Sequence, residues 1–487
     1  MKPAPLTRFL CFLLIFAFAI PQSWATCGGG GGGGVGGMGG GSMSPEQTYP
    51  VPWKLMKPEV QVKEGLVMYW FPSSVDEYTR SSLRNSRILS LYASQCVTMG
   101  LGDVHTPIGQ KLAASDKLPV AVLATPEGSV VTKVTNQDGK LKVDQVEKAL
   151  ETEMKRRESA VEERLKSAKD KARSGDSKTA IELYRAVLDQ KCLFPKKAKD
   201  AAKELKKLGV SEAAELIDAP IFAPVFDRAA SARIENTMIR GMAAEMKDNY
   251  LEAVRLYSAA HRMDPADPVP LRYLGEVYRH HIGEWEKARE TFESILKMPA
   301  DPLSRAVALH GLGKMTIHEG DFKKGLGLME SSVQEYPIAL AYRNLAVYWN
   351  SEGDQKKAGE YTKLALSLEP KDPFNLVFAA AFMAGAGRGD EALKIARENE
   401  NLMPASYNLA AVYAQLGQKE KALALLQRHF FQYERYQSVR AKEMMEARVD
   451  AVFASINQDR AFVALTSGAD GRLPIPNFPG MKPAGTN

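Results

Sequence analysis

The apolar and polar positions of this chain follow a repeated pattern from about residue 234 to residue 433. In its clearest copy Gly241 precedes Ala253 by twelve positions, and Tyr257 and Ala260 continue the same helical face. Small residues let two helices approach closely, and large apolar side chains one turn away fill the space between them. Pro265 then ends the copy, because proline stops a helix. The pattern predicts a pair of packed helices.

Five further copies follow at a spacing of about 30 to 38 residues. They consist of Leu274, Gly275, Tyr278, Ala288 and Phe292; Leu312, Gly313, Gly325, Met329 and Pro337; Tyr342, Leu345, Ala346, Ala358, Ala365 and Pro370; Leu376, Ala379, Ala380, Ala392 and Pro404; and Leu409, Ala410, Tyr413, Ala422 and Leu426. This arrangement resembles the tetratricopeptide repeat family, whose units of about 34 residues are helix-turn-helix pairs. One pair cannot bury its apolar face alone, so the resemblance implies a continuous all-α solenoid that binds other proteins.

Short apolar runs separated by turns replace this pattern between Trp53 and about Met154. The runs predict strands at Gly65–Phe71 and Cys96–Met99, a helix at Val75–Leu91, and a hairpin of Leu118–Ala124 with Val130–Val134 around Pro126–Gly128. We expect all strands before about Val134. Helices are expected from about Asp144 to about Leu465, interrupted by short turns and by the region from Pro220 to Arg233.

The order of these elements resembles the thioredoxin-like fold. The strongest likenesses are Leu118–Pro119, at the place where that family keeps a cis proline, and the turn Thr125–Gly128. The family's CxxC motif would follow the first buried strand, where this chain has no cysteine between Phe71 and Asp76. Thiol–disulfide exchange needs an attacking thiolate and a second thiol that resolves the intermediate. We therefore expect a thioredoxin-like domain without dithiol chemistry.

The chain is thus expected to be α+β overall, with a thioredoxin-like α/β domain followed by an all-α solenoid. Its predicted parts are a signal peptide (1–25), a glycine-rich flexible linker (26–52), the thioredoxin-like domain (53–154), a helical linker with a first repeat-like unit (155–208), a connection (209–233), the repeat array (234–433), capping helices (434–466) and a disordered tail (467–487). Ala168, Ala180, Tyr184 and Val187 indicate the first repeat-like unit. Glycine and proline at the C-terminal end favour disorder of the tail.

The first residues predict export of the protein. Lys2 and Arg8 precede an apolar run, Phe9–Ile20, and Ser23 to Ala25 offer a small-residue cleavage site. Twelve apolar residues are too few to span a bilayer, which distinguishes this segment from a transmembrane helix. The expected location is the bacterial periplasm, the periplasmic side of the outer membrane, or the outside of the cell.

Cys27 directly follows this segment and precedes a glycine tract, Gly28–Gly41. A cysteine followed by such a tether resembles a bacterial lipoprotein, in which the cysteine carries the lipid anchor and the tract is a flexible spacer. Trp24, Ala25 and Thr26 depart from the motif that precedes a lipidated cysteine. A lipid anchor at Cys27 and a free flexible linker are both compatible with the sequence.

The folded body holds Cys96 and Cys192, which form no CxxC motif. Pairing is one expectation for an oxidising compartment. The favoured expectation is two buried thiols, because free cysteine packs as a small hydrophobe. The resemblance to thioredoxin-like proteins places Cys96 in a strand.

The formal net charge of the chain is +6, and one segment accounts for it. From Glu151 to Lys207 there are 17 Lys or Arg and 11 Asp or Glu, an excess of six positive charges. A run of this kind is usually a solvated helical face, and the functional alternative is attraction to an anionic membrane surface. Nucleic acid is not an expected partner, because basic and aromatic residues are not interleaved.

No catalytic, metal or cofactor site is predicted. The sequence lacks HExxH, GxSxG, an EF-hand loop and a complete phosphate-binding loop. Gly311 to Thr316 superficially resembles such a loop, but the spacing is wrong and the residues lie in a predicted helix. His280 and His281 are adjacent, so on a helix they point about 100° apart and cannot bind one metal ion together.

In tetratricopeptide arrays the first helix of each unit lines a concave groove. Applying that alignment to the three central units predicts a basic groove with Glu276 as its acid, formed by Arg272, Arg279, His280, His310, Lys314, His318 and Arg343. Apolar residues are predicted to line the flanking units: Met238, Met242 and Met246 in the first, and Phe374, Val377, Ala381, Tyr407 and Ala411 in the last two.

These observations together predict an exported, non-enzymatic scaffold. Its partner is expected to be a protein or peptide with an acidic segment, because the central groove is basic. Two alternatives are a periplasmic thioredoxin-like thiol–disulfide or chaperone protein, and a structural component of an envelope assembly. The first of these alternatives requires the active-site cysteines that the sequence lacks.

Overall fold

A computed structural model describes residues 48–56, 62–403, 406–433 and 437–467. The signal peptide, the candidate anchor Cys27, most of the glycine-rich linker and the C-terminal tail lie outside the described residues. The described chain forms two compact units, which divide between Pro337 and Ile338. The first unit contains a β-sheet followed by helices, and the described part of the second unit is helical.

A five-stranded sheet opens the first unit. Its strands are β1 (Lys54–Leu55), β2 (Leu66–Phe71), β3 (Val97–Leu101), β4 (Val120–Ala124) and β5 (Val130–Thr135). The order across the sheet is β1-β3-β2-β4-β5. The first three strands of this order are parallel, and β4 is antiparallel to both β2 and β5. Apolar clusters cover both faces of β2 and β4, which explains why their sequences are apolar at every position.

The predicted hairpin is confirmed as β4 and β5. Gly128 donates its backbone N–H to the carbonyl oxygen of Thr125 at 2.9 Å. Its φ of +76° lies in the left-handed region, where glycine carries no steric cost. The peptide bond between Leu118 and Pro119 is cis, as the resemblance implied.

Three short helices flank the strands: α1 (Val75–Arg80), α2 (Arg87–Ala93) and α3 (Pro107–Ala113). The expected single helix over Val75–Leu91 is wrong, because a 3-10 turn at Ser82–Arg84 separates α1 from α2. Ser86 accepts the backbone N–H of Leu89 and so caps α2. A serine that caps a helix favours a new helix start at its position.

Ten further α-helices complete the first unit. They are α4 (Val143–Arg173), α5 (Ser177–Leu188), α6 (Pro195–Lys207), α7 (Glu215–Asp218), α8 (Arg228–Glu245), α9 (Tyr250–Met263), α10 (Pro268–Glu276), α11 (Trp285–Lys297), α12 (Pro302–His318) and α13 (Phe322–Glu335). The long helix predicted near Asp144 is confirmed as α4, whose buried residues include Val146, Leu150, Val161 and Leu165.

The helix α8 begins earlier than the sequence predicted. The connection was expected to reach Arg233, but α8 starts at Arg228, where the side chain of Asp227 accepts the backbone N–H of Ala230. Aspartate is a strong N-cap, so the helix extends back to it. A π-helical turn, Val277–Ile282, continues α10 and ends at Gly283 in the left-handed conformation. Within the described part of residues 234–433 there is no strand, as predicted.

The small residues of the repeated pattern lie where helices cross. A Cβ atom on Gly241 would lie 2.5 Å from the ring of Tyr257, and one on Gly275 would lie 2.3 Å from the ring of Phe292. Both distances are too short for non-bonded carbon atoms, so an aromatic ring fills the space that glycine leaves. In these two hairpins the pairing of a small residue with a large one therefore sets the distance between the helices.

Cys96 and Cys192 form a disulfide with a Cα–Cα distance of 5.8 Å. The favoured expectation of two free thiols is therefore wrong. The expected strand position of Cys96 is also wrong, because this residue lies just before β3 with a φ of +59°. The bond joins the turn before β3 to the turn before α6 across 96 residues of sequence, a separation that no local pattern could bridge.

The second unit contains eight described α-helices: α14 (Ala339–Ser351), α15 (Gln355–Leu368), α16 (Pro373–Gly385), α17 (Gly389–Asn399), α18 (Tyr407–Gln415), α19 (Lys419–Arg428), α20 (Gln437–Val449) and α21 (Arg460–Thr466). Alanines such as Ala380, Ala392 and Ala410 lie in its core next to large side chains such as Tyr407 and Phe462. The last helix ends next to Leu465, where the sequence predicted the end of the helical region.

Candidate functional site

The seven residues predicted to form a basic groove differ in their exposure. Arg272, Arg279, His310 and Lys314 are buried. His280, His318 and Arg343 are partly exposed. The helix α12, which carries three of the seven, is buried along nearly its whole length. The predicted alignment gave the direction of each side chain around its helix, but it could not give the solvent exposure.

Arg272 is the most deeply buried of these side chains. Its Nη1 lies 3.4 Å from Ser304 Oγ, and its guanidinium lies 5.4 Å from the centre of the Tyr273 ring. Its Nε and Nη2 atoms have no hydrogen-bond partner among the residues that the structure describes. Burying a guanidinium without an ion pair is costly, so the packing around Arg272 must offset that cost.

Arg279 forms a buried ion pair within its own helical segment. Its Nη2 donates to Glu276 Oε2 at 2.6 Å, and both side chains are at most 6% exposed. The carbonyl oxygen of Arg279 also accepts the indole N–H of Trp285 at 3.1 Å. Glu276 therefore neutralises Arg279 instead of facing the solvent as an isolated acid of the groove.

Arg343 belongs to the second unit, whereas the other six residues belong to the first. Its Nη1 donates to Asn375 Oδ1 at 2.8 Å and lies 3.8 Å from Asp372 Oδ1. Burial raises the pKa of Asp372, and the Arg343 guanidinium counteracts that shift. This arginine is thus already engaged with an amide and an acid of the following helix.

The apolar positions predicted for the flanking repeats are mostly buried. In the first unit Met238 and Met242 are buried, whereas Met246 is 45% exposed. In the second unit Phe374 is partly exposed, and the other four, Val377, Ala381, Tyr407 and Ala411, are buried. Met246 and Phe374 are therefore the members of this predicted set that a partner could reach.

A charged cluster that the sequence did not predict centres on Arg87 of α2. Its guanidinium bonds to Asp264 Oδ2 and, at 3.0 Å, to Asp267 Oδ2, and all three side chains are fully buried. Arg87 also donates to Ser231 Oγ at 2.6 Å and to the carbonyl oxygen of Val225 at 2.8 Å. This cluster joins the α/β domain to the start of α8 and to the turn between α9 and α10.

Electrostatics favour an ionised guanidinium in this cluster. Burial by itself would lower the pKa of Arg87, but the carboxylates of Asp267 and Asp264 outweigh it, and the pKa is raised. Burial and the charge on Asp267 raise the pKa of Tyr49 well above its usual value. The Tyr49 hydroxyl therefore stays protonated and donates to Asp267 Oδ2 at 2.9 Å.

The segment at residues 48–56 extends this contact along the helices. The hydroxyl of Tyr273 donates to the carbonyl oxygen of Thr48 at 3.1 Å, and that of Tyr336 donates to the carbonyl oxygen of Trp53 at 3.2 Å. Lys54 Nζ donates to the carbonyl oxygen of Gln334 at 3.2 Å. These hydrogen bonds connect residues 48–56 to α10 and to the C-terminal end of α13.

A weak sequence signal for this interface existed. An arginine between a capping serine and an apolar run, Ser86-Arg87-Ile88-Leu89, occupies a position that α2 buries. A buried arginine requires acidic partners. The turn from Asp264 to Asp267 supplies two acids between helices. Because it lies far from Arg87 along the chain, the sequence does not indicate that these residues pair.

The turn that would carry thiol chemistry in a thioredoxin-like protein carries serines. Ser74 caps α1 by accepting the backbone N–H of Glu77 at 3.1 Å, and Ser73 is exposed. The disulfide of Cys96 lies elsewhere, before β3. Among the described residues there is no group of three or more His, Cys, Asp or Glu side chains placed to hold a metal ion.

Membrane-crossing helices are also not found in the part of the chain that the structure describes. None of these helices combines the length and the apolar character that crossing a bilayer requires.

Comparison with known proteins identifies one repeat directly. Residues 404–428, which include α18 and α19, match the Tetratricopeptide repeat family. The Protein CTR9 homolog of Arabidopsis thaliana is 25% identical over 234 residues, and the match covers 37% of this chain and 21% of that protein. Photosystem I assembly protein Ycf3 of Rippkaea orientalis (strain PCC 8801 / RF-1) is 28% identical over 123 residues, covering 22% of this chain and 69% of that protein.

Among solved structures, the crystal structure of APC/C hetero-tetramer Cut9-Hcn1 is 13% identical to this chain. The match has a TM-score of 0.34 and covers 60% of this chain and 52% of that one. The match to the CTR9 homolog spans about a fifth of that relative's length. The family match assigns one tetratricopeptide repeat, at residues 404–428. Further helical hairpins precede it along the described chain.

Proposed function

We propose that this chain is an exported, non-catalytic scaffold that binds a protein partner through its helical hairpins. The observation that carries the proposal is the repeated contact of a small residue with an aromatic ring, as between Gly241 and Tyr257. Such contacts make each hairpin a closely packed unit, and stacked units of this kind present extended recognition surfaces. The family match at residues 404–428 supports the same function.

The α/β domain belongs to this proposal as a thioredoxin-like fold with a structural use. Its strand order β1-β3-β2-β4-β5 and its cis proline at Pro119 support the resemblance. Serines in place of the active-site cysteines support the loss of redox chemistry. In this proposal the domain anchors the helices of the first unit through Arg87.

An acidic segment in the partner is the finer part of the proposal. It is supported by the positive or potentially positive side chains at His280, His318 and Arg343, which remain partly exposed. Arg343 already has an acid beside it, and exposed ion pairs contribute only about 0–1 kcal/mol each. Partner association should therefore weaken only modestly as salt is raised. Association that is wholly independent of salt would remove the acidic segment from the proposal.

Crosslinking in intact cells tests the scaffold proposal. A benzophenone amino acid is placed at Met246, which is exposed at the predicted inner side of the first repeat, and in a matched variant at Leu251, which is 60% exposed at the start of α9. We expect one partner to crosslink at Met246 and not at Leu251. Equal crosslinking at both positions, or none at either, would contradict binding through the inner face of this repeat.

Export and redox activity have their own assays. Cell fractionation followed by N-terminal sequencing is expected to find the mature protein outside the cytoplasm, beginning after Ala25. Mass spectrometry of the same sample determines whether Cys27 carries a lipid. An insulin-reduction assay should show no activity above background, and turnover comparable to that of a dithiol reductase would favour the thiol–disulfide alternative.

A further inference from the structure

A stripe of positively charged side chains runs along the exposed side of α4. Lys155, Lys166, Lys169 and Arg173 follow one another at spacings of 11, 3 and 4 residues, which place them on one face of a helix. All four side chains are exposed. Because an α-helix rises 1.5 Å per residue, the stripe is about 27 Å long.

A second stripe lies on α6. Lys196, Lys203 and Lys207 recur at spacings of 7 and 4 residues and are exposed. The opposite face of the same helix is buried, through residues such as Ala198 and Leu205. The lysines of α6 therefore point away from the core.

An ion pair holds the two helices side by side. Lys197 of α6 lies with its Nζ 3.9 Å from Glu158 Oε1 and also bonds to Glu162, and both acids belong to α4. Glu158 and Glu162 both lie on the face of the α4 stripe, and Lys197 offsets part of their negative charge. The disulfide of Cys192, three residues before α6, fixes the start of that helix as well. We refer to the two stripes together as the α4–α6 surface.

These charges contribute little to the stability of the fold. Lys155, Lys166, Lys169 and Lys196 form no ion pair with any described residue. The other three cations pair only with acids of their own helices: Arg173 with Asp170, Lys203 with Asp200 and Lys207 with Glu204. Those contacts are solvent-exposed and contribute little to stability. The positive potential of the surface is therefore available to a ligand.

We propose that the α4–α6 surface binds the anionic phospholipid headgroups of a membrane. The surface is extended, and its exposed residues between the cations are polar or small, as at Ser159 and Ser167. A protein interface would instead centre on a buried aromatic or apolar anchor. Positive charges distributed along a surface are attracted to anionic lipids over a distance of about one Debye length.

The proposal rests on the export proposed above, because a protein exported to the periplasm acts in a compartment that membranes enclose. The segment Glu151–Lys207 carries six excess positive charges, which equals the net charge of the whole chain. The remainder of the chain is thus balanced in charge. Membrane attraction is expected to orient the protein with α4 and α6 towards the lipid.

Vesicle sedimentation tests this proposal with the mature protein purified from the exporting cell. We expect binding to vesicles that contain phosphatidylglycerol, little binding to pure phosphatidylcholine vesicles, and release at about 0.5 M salt, where charges are screened. Combining Lys155→Glu, Lys166→Glu, Lys169→Glu and Lys196→Glu should weaken binding to the anionic vesicles at least tenfold.

A matched control carries the same change of charge elsewhere. It combines Lys356→Glu, Lys363→Glu, Lys371→Glu and Lys394→Glu, four exposed lysines of the second unit. This control should bind anionic vesicles like the unmodified protein. Circular dichroism verifies that both variants are folded, and the corresponding Lys→Gln set replaces the reversal set should the latter unfold.

Three outcomes would overturn the proposal. They are equal binding to both kinds of vesicle, equal losses in the reversal variant and its control, and binding to a soluble polyanion such as heparin without binding to vesicles. Vesicle binding requires neither export nor a protein partner in the assay. A failure here therefore leaves the scaffold proposal intact, whereas failed export would appear in cell fractionation instead.

Discussion

The cations of the central repeats and those of α4 and α6 have opposite surroundings. Arg272 and Lys314 lie inside the protein, and Arg279 is buried against Glu276. Lys166 and Lys169 lie in solvent without an ion-pair partner among the described residues. A count of charges along the sequence treats both groups alike. Burial separates cations that the fold needs from cations that are available for binding.

The two groups also differ in what can be predicted from sequence. The lysines of α4 lie on a helix whose apolar stripe is apparent in the sequence, so their exposure follows from the periodicity. The pattern of the central repeats predicted the helices and the direction of each side chain around its helix. It did not predict that α12 is buried on nearly every side. Exposure there depends on what covers the helix, which periodicity does not report.

The Arg87 cluster illustrates the same limit. Its acids Asp264 and Asp267 are 177 and 180 residues away in sequence, and the disulfide partners Cys96 and Cys192 are 96 residues apart. Local patterns predicted the helices and the hairpin because those depend on neighbouring residues, and the family resemblance implied the cis proline. Contacts between residues far apart in sequence depend on tertiary packing, which local patterns indicate only weakly.

The largest effect on stability is expected for Arg87→Ala. This change leaves the buried carboxylates of Asp264 and Asp267 without their cation, at a cost of about 3–5 kcal/mol in the free energy of unfolding. Urea unfolding monitored by circular dichroism measures the loss. The control is Arg388→Ala, which removes an exposed pair with Glu391 and should cost about 1 kcal/mol or less. Similar losses in both variants would contradict the distinction between buried and exposed cations.

Removing the disulfide is expected to have the next largest effect. Cys96→Ser combined with Cys192→Ser releases a loop of 96 residues in the unfolded chain, and such bonds typically contribute about 2–4 kcal/mol. The same urea experiment, with and without a reductant, measures the change. The reductant should destabilise the unmodified protein by the same amount and leave the double variant unaffected. An unmodified protein insensitive to reductant would show that the bond is absent or contributes no stability.

A buried acid in the second unit extends the comparison of buried and exposed cations to a group of negative charge. Burial raises the pKa of Asp450 to about 6, although its carboxylate accepts hydrogen bonds from Val452 and Tyr407. The folded protein therefore holds this proton more tightly than the unfolded chain, whose aspartate has a pKa of about 3.9. Stability should fall as the pH rises from about 4 to about 6, by up to about 3 kcal/mol.

The Asp450→Asn variant should lack this part of the pH dependence, because its amide does not titrate. Its carbonyl oxygen can accept only part of the hydrogen bonding of the carboxylate. The quantity to compare is therefore the slope of unfolding free energy against pH, measured by urea titration at several pH values. Identical slopes in the variant and the unmodified protein would show that Asp450 does not titrate in this range.

The most direct test of the contrast between the two groups is one charge reversal in each. Arg272→Glu places an anion where a fully buried cation packs against Tyr273, and should cost about 3 kcal/mol or more. Lys169→Glu changes an exposed side chain and should alter the free energy of unfolding by about 0.5 kcal/mol or less. Urea unfolding of both variants in the same buffer measures the difference. We predict a large decrease in the free energy of unfolding for Arg272→Glu alone. Equal decreases in the two variants would contradict the account.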